Sequence, residues 1–77
     1  DFVNEEAAAL ARRIQREAGE SVQEKVRLSC RLVLGRPPTS EESRYFGRLL
    51  GQAADADAAL NGLCRVLLNA NEFVYID

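Results

Sequence analysis

Few side chains in this sequence have reactive potential: two cysteines, Cys30 and Cys64, an adjacent carboxylate pair, Glu41 and Glu42, and a polar set near the end, Asn71, Glu72 and Tyr75. A cysteine nucleophile needs a base or a positive neighbour to stabilise its thiolate, and the chain contains no His to serve as one. Two cysteines are too few for a disulfide framework, and they are not in a zinc or haem spacing. Each therefore reads as a small buried hydrophobe on a helix, with a single bridge between them as the alternative. Glu41 and Glu42 occupy successive positions, which diverge by about 100° on a helix and do not converge on one substrate. Their spacing from Thr39 suits a cap instead. Glu72 with Tyr75 and Asn71 could line a site, yet polar residues of this kind at helix ends are usually structural. No catalytic, cofactor-binding or metal-ligating residue is assigned, no cofactor is implied, and the chain is expected to be non-enzymatic.

Two further arrangements bear on function. Gly19-Glu20-Ser21-Val22 superficially resembles the serine of acyl carrier proteins that accepts phosphopantetheine at the start of a helix. Glu24 explains Ser21 as one half of a capping box, and Lys25, Arg27 and Arg31 stand where those carriers present an acidic face. A helix-turn-helix reader of DNA would need an exposed recognition helix with basic and amide side chains. The helix after the prolines offers Arg44 and Arg48 but begins with Glu41 and Glu42, which would meet phosphate.

The elements that must position these residues are punctuated clearly. In Leu34-Gly35-Arg36-Pro37-Pro38-Thr39-Ser40-Glu41-Glu42, Gly35 suits a left-handed helix end and the prolines forbid continuation. Thr39 and Glu42 then have the spacing of a capping box, and the helix dipole favours the two carboxylates. Upstream, Asp1 or Asn4 can cap a first helix whose Val3, Ala7, Leu10, Ile14 and Ala18 form a narrow apolar stripe, ended by Gly19. Ser21 and Glu24 open a second helix with Val22, Val26, Ser29, Cys30 and Val33 on one face, widened by Leu28 and Leu32. So broad an arc predicts a central helix packed on at least two others. The third helix carries Tyr45, Phe46, Leu49, Leu50 and Ala53, with Gly47 marking a close crossing and Gly51 as the stop. The fourth is capped by Asp55 or Asp57, and its Ala56, Ala59, Leu60, Leu63, Cys64, Leu67 and Leu68 form a broad apolar face. Asn69 is expected to end it, with Asn71 capping a short turn and Phe73 folding back onto the bundle.

These signals predict an all-α domain of four main helices, Asn4 to Ala18, Ser21 to Leu34, Ser40 to Leu50 and Asp57 to Leu68, with a short C-terminal turn and tail. The expected core is Leu10, Ile14, Val22, Val26, Cys30, Val33, Phe46, Leu49, Leu50, Leu60, Leu63, Cys64, Leu67 and Phe73.

With 77 residues, 47% of them hydrophobic, the chain is one small domain able to bury about 60% of its unfolded surface. The absence of Met leads to the expectation that residues 1–77 are a processed piece or an excised domain of a longer protein. A formal net charge of −2 gives no electrostatic footprint for nucleic acid or an anionic membrane. No stretch approaches the roughly 18 apolar residues of a membrane span.

LGRPPTSEE (Leu34 to Glu42) and LLNANEFVYID (Leu67 to Asp77), preceded by DFVNEEAAALARRI (Asp1 to Ile14), resemble the C-terminal end of a domain of unknown function found in large planctomycete cytochrome-associated proteins. The stretch from Leu68 to Phe73 is the more specific signal, and the resemblance spans essentially the whole chain. It implies a long, exported parent with other domains, in many cases including a c-type haem domain. This chain lacks a haem-attachment sequence and His, so haem chemistry is not assigned to it, and the resemblance carries over no catalytic residue. The expected role is a non-catalytic helical docking or scaffolding module, in contact with other domains of its parent or with another protein. Nucleic-acid binding and membrane insertion are not expected. An alternative is part of an enzyme whose active site lies elsewhere in the parent.

Overall fold

A computed structural model describes the backbone of residues 2–76 and the side chains of residues 3–70. The described chain is an all-α bundle of four helices: α1 (Phe2–Ala18), α2 (Val22–Leu34), α3 (Ser40–Gln52) and α4 (Ala56–Ile76). Helices α2 and α4 each pack against all three others, whereas α1 and α3 do not meet. The centrality expected of α2 is therefore shared with α4, and the two form the short diagonal of the bundle.

Alanine spacing sets the approach of α1. Ala7, Ala11 and Ile14 are buried, at intervals of four and three that keep them on one face, and small side chains let α1 lie close along α4. Two polar links flank this contact: the Gln15 amide donates to the Asp57 carboxylate, and Arg65 Nη1 donates to Asn4 Oδ1 at 3.3 Å. The pairing of 15 with 57 and of 4 with 65 makes α1 and α4 antiparallel. Asn4 thus lies inside α1, which starts at Phe2, and is not its cap. Gly19, at φ 68°, ends the helix in the left-handed region.

Helix α2 buries Val26, Ser29 and Cys30. The Ser29 hydroxyl donates to the Lys25 carbonyl at 2.6 Å, which satisfies a polar group that burial would otherwise leave costly. Gly35, at φ 75° and ψ 15°, closes the helix with its N–H on the Arg31 carbonyl. At the other end only half of the expected capping box forms. The Glu24 N–H donates to Ser21 Oγ at 3.2 Å, but the Glu24 carboxylate takes both Arg27 Nε and Nη2, at 2.8 and 2.9 Å. Two charge-assisted bonds from one guanidinium outweigh a single bond to the Ser21 N–H.

Two expectations about α3 and α4 are corrected. Gly51 does not stop α3, which runs to Gln52 with Ala53 as its extended cap. Asn69 does not end α4: no non-glycine residue among those described has positive φ, and the backbone stays helical to Ile76. Asparagine costs a helix only a few tenths of a kcal/mol, and no Gly or Pro follows it to force a break. The expected turn and tail are thus the last turns of α4, while the docking of the Phe73 side chain lies outside the described residues. Asp55, not Asp57, caps α4, its Oδ1 accepting from the Ala58 N–H at 3.1 Å.

The core consists of Ala7, Ala11, Ile14, Val26, Cys30, Leu50, Leu60, Leu63, Cys64 and Leu67. Leu10, Val22, Val33 and Phe46, expected inside, are partly buried and pack against it. Leu49 is an outright correction, being 41% exposed. Because α3 touches only α2 and α4, a narrow sector of it is covered. That sector holds Phe46 and Leu50 together with half-buried Ser43 and Gly47, which rotates Tyr45 and Leu49 toward solvent.

Candidate functional site

The proline corner between α2 and α3 gathers more polar contacts than any other described part of the chain. Thr39 Oγ1 accepts from the Glu42 N–H at 3.1 Å, and Glu42 Oε1 accepts from the Thr39 N–H at 2.9 Å, the full capping box the sequence predicts. Arg36 adds a bidentate pair to the same carboxylate, at 2.8 and 3.0 Å, while its Nη1 also donates to the Pro37 carbonyl. The Arg36 hydrogen bonds, followed by the Thr39 N–H, lower the Glu42 carboxyl to about 2. A carboxylate so fully engaged is a strut of the corner, with no basicity to offer a substrate near neutral pH. Glu41 is exposed on the next position of the helix and does not join it.

Both cysteines are buried and unbridged. Burial pushes the Cys64 thiol up to about 11. Cys30 is raised by burial and then by the Glu42 charge, with Arg36 opposing. Both shifts favour the inert thiol over the nucleophilic thiolate. Among the described residues no three His, Cys, Asp or Glu side chains gather as a metal-ligand set. Ser21 is engaged as the N-cap of α2. Glu72, Tyr75 and Asn71 have side chains outside the described residues.

What the fold does bring together is an apolar groove. Tyr45, Phe46 and Leu49 of α3 face Gly62, Leu63, Arg65 and Val66 of α4 across an open cleft of about 310 Å³. The large hydrophobic side chains left most exposed among the described residues, Tyr45 (59%), Leu49 and Val66 (58%), all line it. Their convergence follows from the bundle's layout. Tyr45 and Leu49 fall at the edge of the sector of α3 that α2 and α4 cover, and Gly62 deepens the gap by presenting no side chain. The Tyr45 and Phe46 rings lie 5.6 Å apart, tilted by 59°, so one wall of the groove is stiffened by aromatic contact.

No family model, curated protein or solved structure matches this chain.

The sequence pattern puts Tyr45 and Leu49 on one apolar stripe and Leu49 in the expected core, and it offers no reading for Val66 or Gly62. The signal for Val66 was present: it falls outside the series Leu60, Leu63, Cys64 and Leu67, which is an apolar residue on the solvent side of an otherwise well-ordered face. The broad arc of α2, expected to pack on at least two helices, is largely covered by its three neighbours. No described helix is long and apolar enough to cross a membrane.

Proposed function

We propose that this chain is a non-catalytic helical docking module, a piece of a longer, exported multidomain protein of the planctomycete kind that its sequence resembles. The observation that carries the reading is the convergence of Tyr45, Leu49 and Val66 on a single open groove. A 77-residue domain has little apolar surface to spare, and exposed large hydrophobics scattered singly need no explanation, whereas clustered ones mark an interaction site. The reactive groups support the same reading, since Glu42, Cys30, Cys64 and Ser21 are each occupied in holding the fold. Any catalysis by the parent protein belongs to its other domains. Nucleic acid is not part of this reading, because Glu41 and Glu42 open the helix that would have to approach phosphate.

The test is site-specific photocrosslinking in the organism that makes the protein, with p-benzoylphenylalanine placed at Val66 and, as a control on the polar face, at Arg13. Crosslinks to another domain or protein should form from position 66 several times more often than from position 13. Equal yields from the two positions would remove the docking role.

A further inference from the structure

Asn61 is the one asparagine in the chain that precedes a glycine; Asn4, Asn69 and Asn71 precede Glu5, Ala70 and Glu72. The backbone nitrogen that follows an asparagine can reach that residue's side-chain carbon Cγ, and a glycine, with no Cβ and a freely turning backbone, leaves the approach unhindered. Once base takes the Gly62 amide proton, the nitrogen attacks Asn61 Cγ. The N–Cγ bond forms, the Cγ–Nδ2 bond breaks, ammonia leaves, and a five-membered succinimide joins the two residues. Water then opens the ring at one carbonyl or the other, giving aspartate or isoaspartate. The net exchange is one water in and one ammonia out.

The fold closes this chemistry off. Helix α4 runs through both residues, and Gly62 lies beyond its first turn, so its N–H is committed to the carbonyl one turn back and its φ and ψ are held away from ring closure. Leu60, Leu63 and Cys64, on either side of the pair, are 0%, 1% and 0% exposed. A turn so anchored cannot open by fraying and is released only when the core comes apart.

We infer that Asn61-Gly62 is a latent deamidation site, shut while α4 is helical, whose reaction with water makes unfolding of this domain irreversible. Isoaspartate routes the main chain through the former side chain and so adds a methylene between Leu60 and Leu63, two buried residues that must keep helical register to share the core. Gly62 also lines the groove, so the same event removes part of its α4 wall. The inference is independent of the docking reading, since it concerns α4 alone.

The experiment incubates the protein at mildly alkaline pH across a guanidinium chloride titration and follows residue 61 by peptide mapping, with fragmentation that distinguishes isoaspartate from aspartate. Deamidation should be about a hundredfold or more slower in the folded chain than in the unfolded one, and along the titration its rate should follow the unfolded fraction read by circular dichroism. The Gly62→Ala variant is the chemical control: an added Cβ would meet only Arg65 Nη2, at 4.0 Å, so the helix accommodates it, and in full denaturant its deamidation should be at least about tenfold slower. After removal of denaturant, the isoaspartate fraction should stay without the native melt while the unmodified fraction regains it. A folded chain that deamidates as fast as the unfolded one, or a rate that departs from the unfolded fraction, would show that α4 does not guard the pair. Absence of deamidation at residue 61 in full denaturant would remove the site, and an isoaspartate fraction that refolds with the native melting temperature would remove the irreversibility.

Discussion

Arg36 and Glu42 close the corner between α2 and α3 with two parallel hydrogen bonds of 2.8 and 3.0 Å, made from the one residue that separates the left-handed Gly35 from the prolines. The same carboxylate caps α3 through the Thr39 N–H, so a single side chain ties the end of one helix to the start of the next. Its carboxyl lies at about 2 in the folded chain against an ordinary 4.5. A depressed carboxyl stabilises the fold above its unfolded value and loses that contribution as pH falls toward its folded value. Thermal stability should therefore decline between about pH 4.5 and 2, and Glu42→Gln should flatten part of that decline while lowering the melting temperature at pH 7. A pH profile of the melt that is identical in the variant and the natural chain would show that Glu42 is not the responsible group.

The N-caps of α2 and α3 should differ in worth. At Thr39 the hydroxyl and the Glu42 carboxylate satisfy two N–H groups reciprocally, whereas at Ser21 only the hydroxyl bond forms. Removing an N-cap side chain costs typically about 1 kcal/mol. Thr39→Ala is expected at or above that figure, because the Arg36 to Glu42 clamp is built on the same geometry, and Ser21→Ala at about half of it. Chemical denaturation of both variants measures the difference; a larger loss at Ser21 would reverse the ranking of the two corners.

Local covalent chemistry made much of this fold legible. Gly35, Pro37, Pro38, Thr39 and Glu42 act over a few residues, and their turn, cap and helix start all occur where the sequence puts them. The width of the α2 apolar arc foretold a helix with several neighbours, and Ile14, Val26, Leu60, Leu63 and Leu67 foretold the interior. What the sequence left open were choices between competing partners. Glu24 had both the Ser21 N–H and the Arg27 guanidinium within reach, and charge decided between them. The facing of α3 depended on which helices flank it, so Tyr45 and Leu49 could not be told from core residues by periodicity alone. Asn69 is a weak stop, and without Gly or Pro after it the helix continued. The groove arises from the facing of α3, an outcome of tertiary packing, which is why its residues were dispersed among other readings.

Two glycines should respond to alanine in opposite directions. Gly35 has φ 75°, where a Cβ is strained even though space around it is open. Gly35→Ala should destabilise by about 1 kcal/mol or more. Gly47 lies inside α3 without positive φ, and an added Cβ would meet only Gln23 Nε2 at 3.4 Å, the movable tip of an exposed side chain. The close helix crossing expected there is thus a light contact with an amide tip. Gly47→Ala should raise stability by about 0.5 to 1 kcal/mol through helix propensity. A fall in the denaturation midpoint on Gly47→Ala would mean that the α2 and α3 backbones approach too closely for a methyl group.

Leu49 and Leu63 line the same groove but belong to different layers, one 41% exposed and the other 1%. Truncating a fully buried leucine removes its transfer free energy and leaves a cavity, at about 2 to 5 kcal/mol, so Leu63→Ala should unfold much of the population of so small a bundle. Leu49→Ala deletes a side chain already half in water, whose neighbours can relax into the groove, and should cost under about 1 kcal/mol. The same substitution removes one of the three exposed apolar contacts of the groove, so it should lower the crosslinking yield from position 66 while leaving the fold intact. Melting temperature and crosslinking yield, read on the same Leu49→Ala variant, therefore separate the two roles. Loss of both together would return Leu49 to the core, where periodicity first placed it, and would leave Tyr45 and Val66 as the groove's exposed apolar contacts.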